Sequence, residues 1–158
     1  MRDLDQRGFT LVELVMTLVI LGILSATAMP RFFDFSAFRQ RAFFDDTLAA
    51  VRYAQKLAVA TGCNVQFSIA ADRFRLMRPG ATDRSQCAST AAADFTLDVA
   101  RPGSGEAVYQ GSQTGIAVDS ATVYFTAKGL ASADLDIAVG DRRISIVKDT
   151  GFVYDSSP

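Results

Sequence analysis

The chain has 158 residues, 49% hydrophobic and 21% charged, with a formal net charge of −1. These proportions allow one core of ordinary size and exclude both a disordered chain and a multi-span membrane protein. With no histidine and two cysteines, Ser-His-Asp and Cys-His nucleophiles, histidine-based metal centres and a four-thiolate zinc site are all excluded.

The first element is apolar. Residues 9–30, FTLVELVMTLVILGILSATAMP, hold one charge, Glu13. As a helix they would run roughly 33 Å, enough to cross a hydrocarbon core of about 30 Å. Three readings compete. An ordinary secretory signal would use Ala26-Thr27-Ala28 as its small-residue cleavage site, but Asp3, Asp5 and Glu13 do not suit a basic leader. A plain signal anchor gives Glu13 no reason to exist. The third reading uses every residue. Arg7-Gly8-Phe9-Thr10-Leu11-Val12-Glu13 resembles the processing site of type IV prepilins and of the related type II secretion pseudopilins.

That resemblance implies a leader of residues 1–8, cut between Gly8 and Phe9 by a prepilin peptidase at the cytoplasmic face, which also N-methylates the new Phe9 amine. It implies that Glu13 and Phe9 direct assembly. The implied partners are other pilin subunits, the pilus assembly platform and the inner membrane. Glycine suits the scissile position because it lets a protease backbone approach closely. Basic residues flank the span on both sides, so charge counting does not orient it.

A second helix follows. Residues 31–61 contain no glycine or proline, and Phe35, Phe38, Ala42, Leu48, Val51, Ala54 and Ala58 recur at helical spacing between charged residues. Gly62 supplies the stop. The pattern predicts one long helix over residues 9–61, kinked near Pro30. The dense set Phe32, Phe33, Phe35, Phe38, Phe43 and Phe44 divides between two uses, packing on the following sheet and facing neighbouring subunits.

After Gly62 the period becomes two. Val65, Phe67 and Ile69 alternate with polar residues, residues 70–72 turn the chain, and Phe74 and Leu76 complete a hairpin closed by Pro79-Gly80. Further strands are expected at 95–99, 116–118, 123–126, 135–139, 144–147 and 152–154, separated by loops at 81–93 and around Val108-Tyr109. The expected fold class is α+β: a long N-terminal helix, half transmembrane and half amphipathic, packed on an antiparallel β-sheet head, which is the pilin ladle. Its parts would be residues 1–8 as leader, 9–30 as transmembrane and assembly helix, 31–61 as amphipathic helix, and 62–158 as head. Residues 48–58 with Gly62-Cys63, residues 125–129 and the ending 144–154 resemble the GspH/FimT-type minor pilins and the minor pilin of mannose-sensitive haemagglutinin (MSHA) pili. Major pilins usually close a C-terminal loop with a disulfide, whereas no cysteine follows Cys87 here. The resemblance therefore implies a minor subunit of an MSHA-like type IV pilus, with a minor pseudopilin of a type II secretion system as the alternative.

The oxidising compartment so implied favours a Cys63–Cys87 disulfide over two free buried thiols. Arg142-Arg143 invites comparison with the basic motif of DNA-binding pilins, but the spacing is imperfect. From Gly62 onward there are 9 basic and 11 acidic residues, and a polar hairpin turn accounts for the pair, so DNA is not an expected partner. Asp134, Asp136 and Asp141 do not follow a calcium loop, and no metal is expected. Nothing singles out a pair of carboxylates for catalysis. The reading is of a non-enzyme with no cofactor and no small-molecule substrate.

Overall fold

The computed structural model describes the backbone of residues 9–32, 35–80 and 87–158, with side chains from 26–32 and 35 set aside. The chain divides into two compact units between Ala37 and Phe38.

The first unit contains α1 (Leu11–Phe32). The helical backbone passes through Pro30, and the one long helix expected over 9–61 is described as two, residues 33 and 34 between them lying outside the described residues. The expected kink is therefore not tested. Apolar side chains along α1 are exposed all round, from Leu11 at 79% to Val15 at 49%. Among the described residues no helix is long and apolar enough to cross a membrane. The span expected over 9–30 runs past Ser25, beyond which the side chains lie outside the description.

The head is built on α2 (Phe35–Thr61). Its buried face comprises Phe43, Phe44, Thr47, Leu48, Ala50, Val51, Ala54 and Ala58, a stripe at three- and four-residue spacing. Phe38 is 72% exposed and Ala42 is also exposed, which corrects the N-terminal end of the predicted stripe. The turn beginning at Phe43 supplies the core instead. Of the six clustered phenylalanines, Phe43 and Phe44 are core and Phe38 faces outward. Phe32, Phe33 and Phe35 fall outside the described side chains.

Gly62, at φ 69°, ends α2 in the left-handed conformation that glycine adopts without steric cost. The chain then enters β1 (Val65–Ala70) and turns at Ala71 into β2 (Arg73–Pro79). Next come β3 (Phe95–Asp98), β4 (Gln110–Ser112) and β5 (Ala121–Phe125). These five form one antiparallel sheet in the order β3-β2-β1-β5, with β4 also on β2. Three more strands, β6 (Leu135–Val139), β7 (Arg142–Ile146) and β8 (Val153–Asp155), make a second antiparallel sheet. Isolated bridges, Val118 to Val139 and Phe125 to Ala131, link the neighbouring segments. Val118 in that bridge is what remains of the strand expected at 116–118.

Both sheets contribute to one core. Phe67, Phe74, Leu76 and Phe125 from the first sheet and Ile137, Val139 and Ile144 from the second are completely buried with Phe44 and Val51 of α2. The α+β class and the antiparallel packing on the helix agree with expectation. The division into two sheets is not something the strand pattern predicts.

Candidate processing and assembly site

The start of α1 is set by Thr10. Phe9 and Thr10 are not helical, and Leu11 is the first helical residue. The Leu14 N–H donates to the Thr10 carbonyl at 3.1 Å, the first helical bond, and the Glu13 N–H donates to Thr10 Oγ1 at 3.2 Å. Thr10 is thus the N-cap and Glu13 the third helical residue, the Thr-x-x-Glu spacing of a capping box. This puts an acidic side chain in the first turn, where the helix dipole favours negative charge.

Two other polar groups on α1 turn back on their own helix. Thr17 Oγ1 donates to the Leu14 carbonyl at 2.8 Å and Ser25 Oγ to the Leu21 carbonyl at 2.7 Å. Their hydroxyls are satisfied without solvent. Glu13 is exposed and is the one ionisable residue between Phe9 and Pro30. Phe9 is 78% exposed. Of the predicted processing and assembly residues, Phe9 therefore lies just before a capped helix start and Glu13 in its first turn. Gly8 and the rest of residues 1–8 lie outside the described residues. Sequence reasoning missed the capping role of Thr10, although Thr followed three residues later by Glu ahead of an apolar run is a legible signal.

In the head, Cys63 and Cys87 form the expected disulfide, with Cα atoms 4.5 Å apart. Asn64 reinforces it. Its backbone N–H donates to the Cys87 carbonyl at 2.7 Å and its side-chain amide to the Ser89 carbonyl at 2.8 Å. The returning loop is thereby fixed to the helix-to-sheet junction.

Most of the charged residues weighed for other chemistry have side chains engaged within the fold, whereas Arg143 is exposed and bonded through its backbone. Arg142 lies 2.6 Å from Asp155 and 3.6 Å from Asp45, with its guanidinium 4.3 Å from the Phe44 ring centroid. Asp134 accepts the Lys148 backbone N–H at 2.8 Å, Asp136 accepts the Ser145 hydroxyl, and Asp141 accepts the Gln40 amide. Among the described residues no group of three or more Cys, Asp or Glu is placed to hold a metal ion. Arg101 bonds Asp46 and covers the Tyr109 ring at 4.8 Å, and burial, together with Asp46, pushes the Tyr109 phenol above its ordinary value.

Comparison with known proteins concentrates on the same N-terminal stretch. The family described as the prokaryotic N-terminal methylation motif matches residues 4–29. The chain is 50% identical over 52 residues to the type IV narrow pilus major component PilA5 of Thermus thermophilus, covering 33% of this chain and 45% of that protein. It is 37% identical over 57 residues to a fimbrial protein of Pseudomonas aeruginosa, covering 36% of this chain and 37% of the relative. The matches thus span less than half the length of these curated relatives. A crystal structure of the type IV minor pilin FimU of Pseudomonas aeruginosa (strain PAO1) aligns with 73% of this chain and 91% of its own, at 13% identity and a TM-score of 0.49. The stretch that builds the capped helix start matches the prokaryotic N-terminal methylation motif, and over that stretch the chain is similar to type IV pilus proteins.

Proposed function

We propose that this chain is a structural subunit of a type IV pilus, cut between Gly8 and Phe9 by a prepilin peptidase and held in the inner membrane by the apolar helix until assembly. The observation that carries this reading is the coincidence, at one helix start, of the methylation motif over residues 4–29 with a lone carboxylate on an otherwise apolar, outward-facing helix.

The physical logic lies in the charge pair that processing creates. A carboxylate at mid-span costs about 2.5–3.5 kcal/mol on insertion scales for the comparable aspartate, and less toward the interface. A passive anchor would be better served by leucine. Cleavage before Phe9 leaves a positive amine just ahead of the helix start, four residues before Glu13 in the chain. In a filament the Glu13 carboxylate of an incoming subunit pairs with the Phe9 amine of a neighbour. Charges left unpaired in the low-dielectric bundle are costly, so the pairing fixes axial register. The head would remain periplasmic and then become part of the filament exterior.

The finer reading is a minor subunit of an MSHA-like pilus. It is supported by the resemblance of residues 48–58, 125–129 and 144–154. The disulfide adds support, because it ties the helix-to-sheet junction instead of closing a C-terminal loop.

The test is Glu13→Val in the full chain. Membrane insertion and leader removal should persist, with mature mass lacking residues 1–8 and carrying one added methyl group. The amount of subunit in sheared filaments, relative to the membrane, should fall to background. Normal incorporation of the valine variant would refute the pairing mechanism. A mature N-terminus at Met29 would refute the prepilin reading itself.

A further inference from the structure

Tyr53, Leu57 and Thr61 recur every four residues along α2 and share one of its faces. They form one wall of a cleft of about 290 Å³. Eight helical positions make that wall about 12 Å long. Val65 of β1 and Val99, just past β3, also line the cleft and are 1% and 4% exposed. Its depth is therefore apolar.

The walls are fixed in advance. On the opposite side of the same turn of α2, the Gln55 amide donates to the Gly129 carbonyl at 3.0 Å and to the Thr150 carbonyl at 3.1 Å. At one end the Tyr53 ring lies 5.4 Å from that of Tyr109, which Arg101 covers while bonded to Asp46. At the other end stands Cys63, held by its disulfide to Cys87. A ligand entering such a cleft has little ordering cost to meet.

Most of the polar groups lining it are already engaged. The Thr61 hydroxyl donates to the Leu57 carbonyl at 2.7 Å and accepts the Cys63 N–H at 3.4 Å. Asp98 accepts from Arg75 Nε at 2.7 Å and Nη2 at 2.8 Å, so its charge is matched. Two groups remain, the Tyr53 hydroxyl and the Arg78 guanidinium, without a partner among the described residues. Arg73 is also unpartnered but lies outside this cleft. Arg78 differs in standing beside apolar walls, where a charge counts for more than in open water. The end of α2 brings roughly half a negative charge to the same place, which the full charge of Arg78 outweighs.

We infer that this cleft binds a small monocarboxylate with an apolar body. Arg78 receives the carboxylate through its fork of N–H donors, and Leu57, Val65 and Val99 bury the body as it runs toward Tyr53. A neutral ligand leaves Arg78 unanswered, and a dicarboxylate sets its second charge against the two buried valines. The volume equals about ten waters of liquid, which suits an acid of roughly ten to twelve heavy atoms. The inference concerns the head alone and stands whether or not the chain enters filaments.

The test is calorimetric titration of 3-phenylpropanoate into the full chain in phospholipid nanodiscs, with empty nanodiscs as the blank. Saturable binding at one site is expected, and about tenfold weaker binding of 3-phenylpropanamide, which keeps the shape and lacks the charge. Arg78→Gln should lose the same factor for the acid and nothing for the amide. Arg73→Gln should bind the acid as the native chain does. Ala107→Trp, which fills the cleft from an exposed position, should abolish binding of both while keeping the unfolding midpoint of the head. Absence of saturable binding, equal affinity for acid and amide, equal losses in Arg73→Gln and Arg78→Gln, or undiminished binding to Ala107→Trp would each overturn the inference.

Discussion

The two units solve the same problem in opposite ways. In the head, Phe44, Phe67, Phe74 and Phe125 are completely buried, and arginine–carboxylate pairs tie the segments together. In α1 the apolar side chains point outward, and the hydroxyls of Thr17 and Ser25 fold back on helix carbonyls. The head closes its own hydrophobic surface, whereas the helix settles its polar atoms and leaves its apolar ones to surroundings it does not contain. Stability in the head should thus depend on single side chains, and stability in α1 on its backbone and its environment.

The sharpest break of that contrast is a pair of truncations. Phe44→Ala removes a ring buried between α2 and the sheets and should lower head stability by about 3–5 kcal/mol. Leu18→Ala, on the exposed face of α1, should leave the denaturant midpoint of the head unchanged. A matching loss in both variants would mean that the units are energetically one.

Next comes the cross-link. Cys87→Ser opens a loop whose ends are separated by 24 positions and should cost the head roughly 3–4 kcal/mol on chain-entropy grounds. The loss should equal that produced by reducing the native protein, and the variant should show no mobility shift on reduction.

A smaller effect is expected at Arg142, which joins the second sheet to α2 through Phe44, Asp45 and Asp155. Arg142→Ala should cost about 1–2 kcal/mol, because the pairs are partly exposed. Asp155 adds a pH signature. Hydrogen bonds from Ser157, helped by Arg142, hold its carboxyl below the ordinary range. A depressed carboxylate pKa contributes stability above the unfolded value and loses it as pH falls through the folded value. Acid titration of head stability should thus steepen in that low window, and Asp155→Asn should flatten it.

The smallest effect is at the cap. Thr10→Val keeps shape but removes the acceptor for the Glu13 N–H, and should weaken the first turn of α1 by about 1 kcal/mol. Faster amide exchange at Glu13, with no change in the head and recovery in Thr10→Ser, would bear this out.

Much of this fold is legible in the residue pattern, because periods of 3.6 and 2 report directly on which face is buried. The stop at Gly62, the hairpin around Ala71 and the strands at 135–139 follow from that rule. The strand β4 does not. Gln110-Gly111-Ser112 has no apolar alternation, and its glycine is required for a tertiary reason: a Cβ there would strike the Phe74 ring. The outward Phe38 escapes the pattern because helical spacing alone does not say where a stripe begins to meet the sheet. At the processing and assembly site, Phe9 and Glu13 are visible because their spacing is local.

The junction at Gln55 also bears on how such a chain can diverge. A Cβ on Gly151 would strike the Gly129 carbonyl, and both turns are held through their carbonyls by one amide. What is fixed at that point is backbone, and the flanking Lys128 and Leu130 are exposed beside it. Descendants can vary those two side chains while the two glycines and the glutamine stay, so the surface can change here without the chain relearning how to fold.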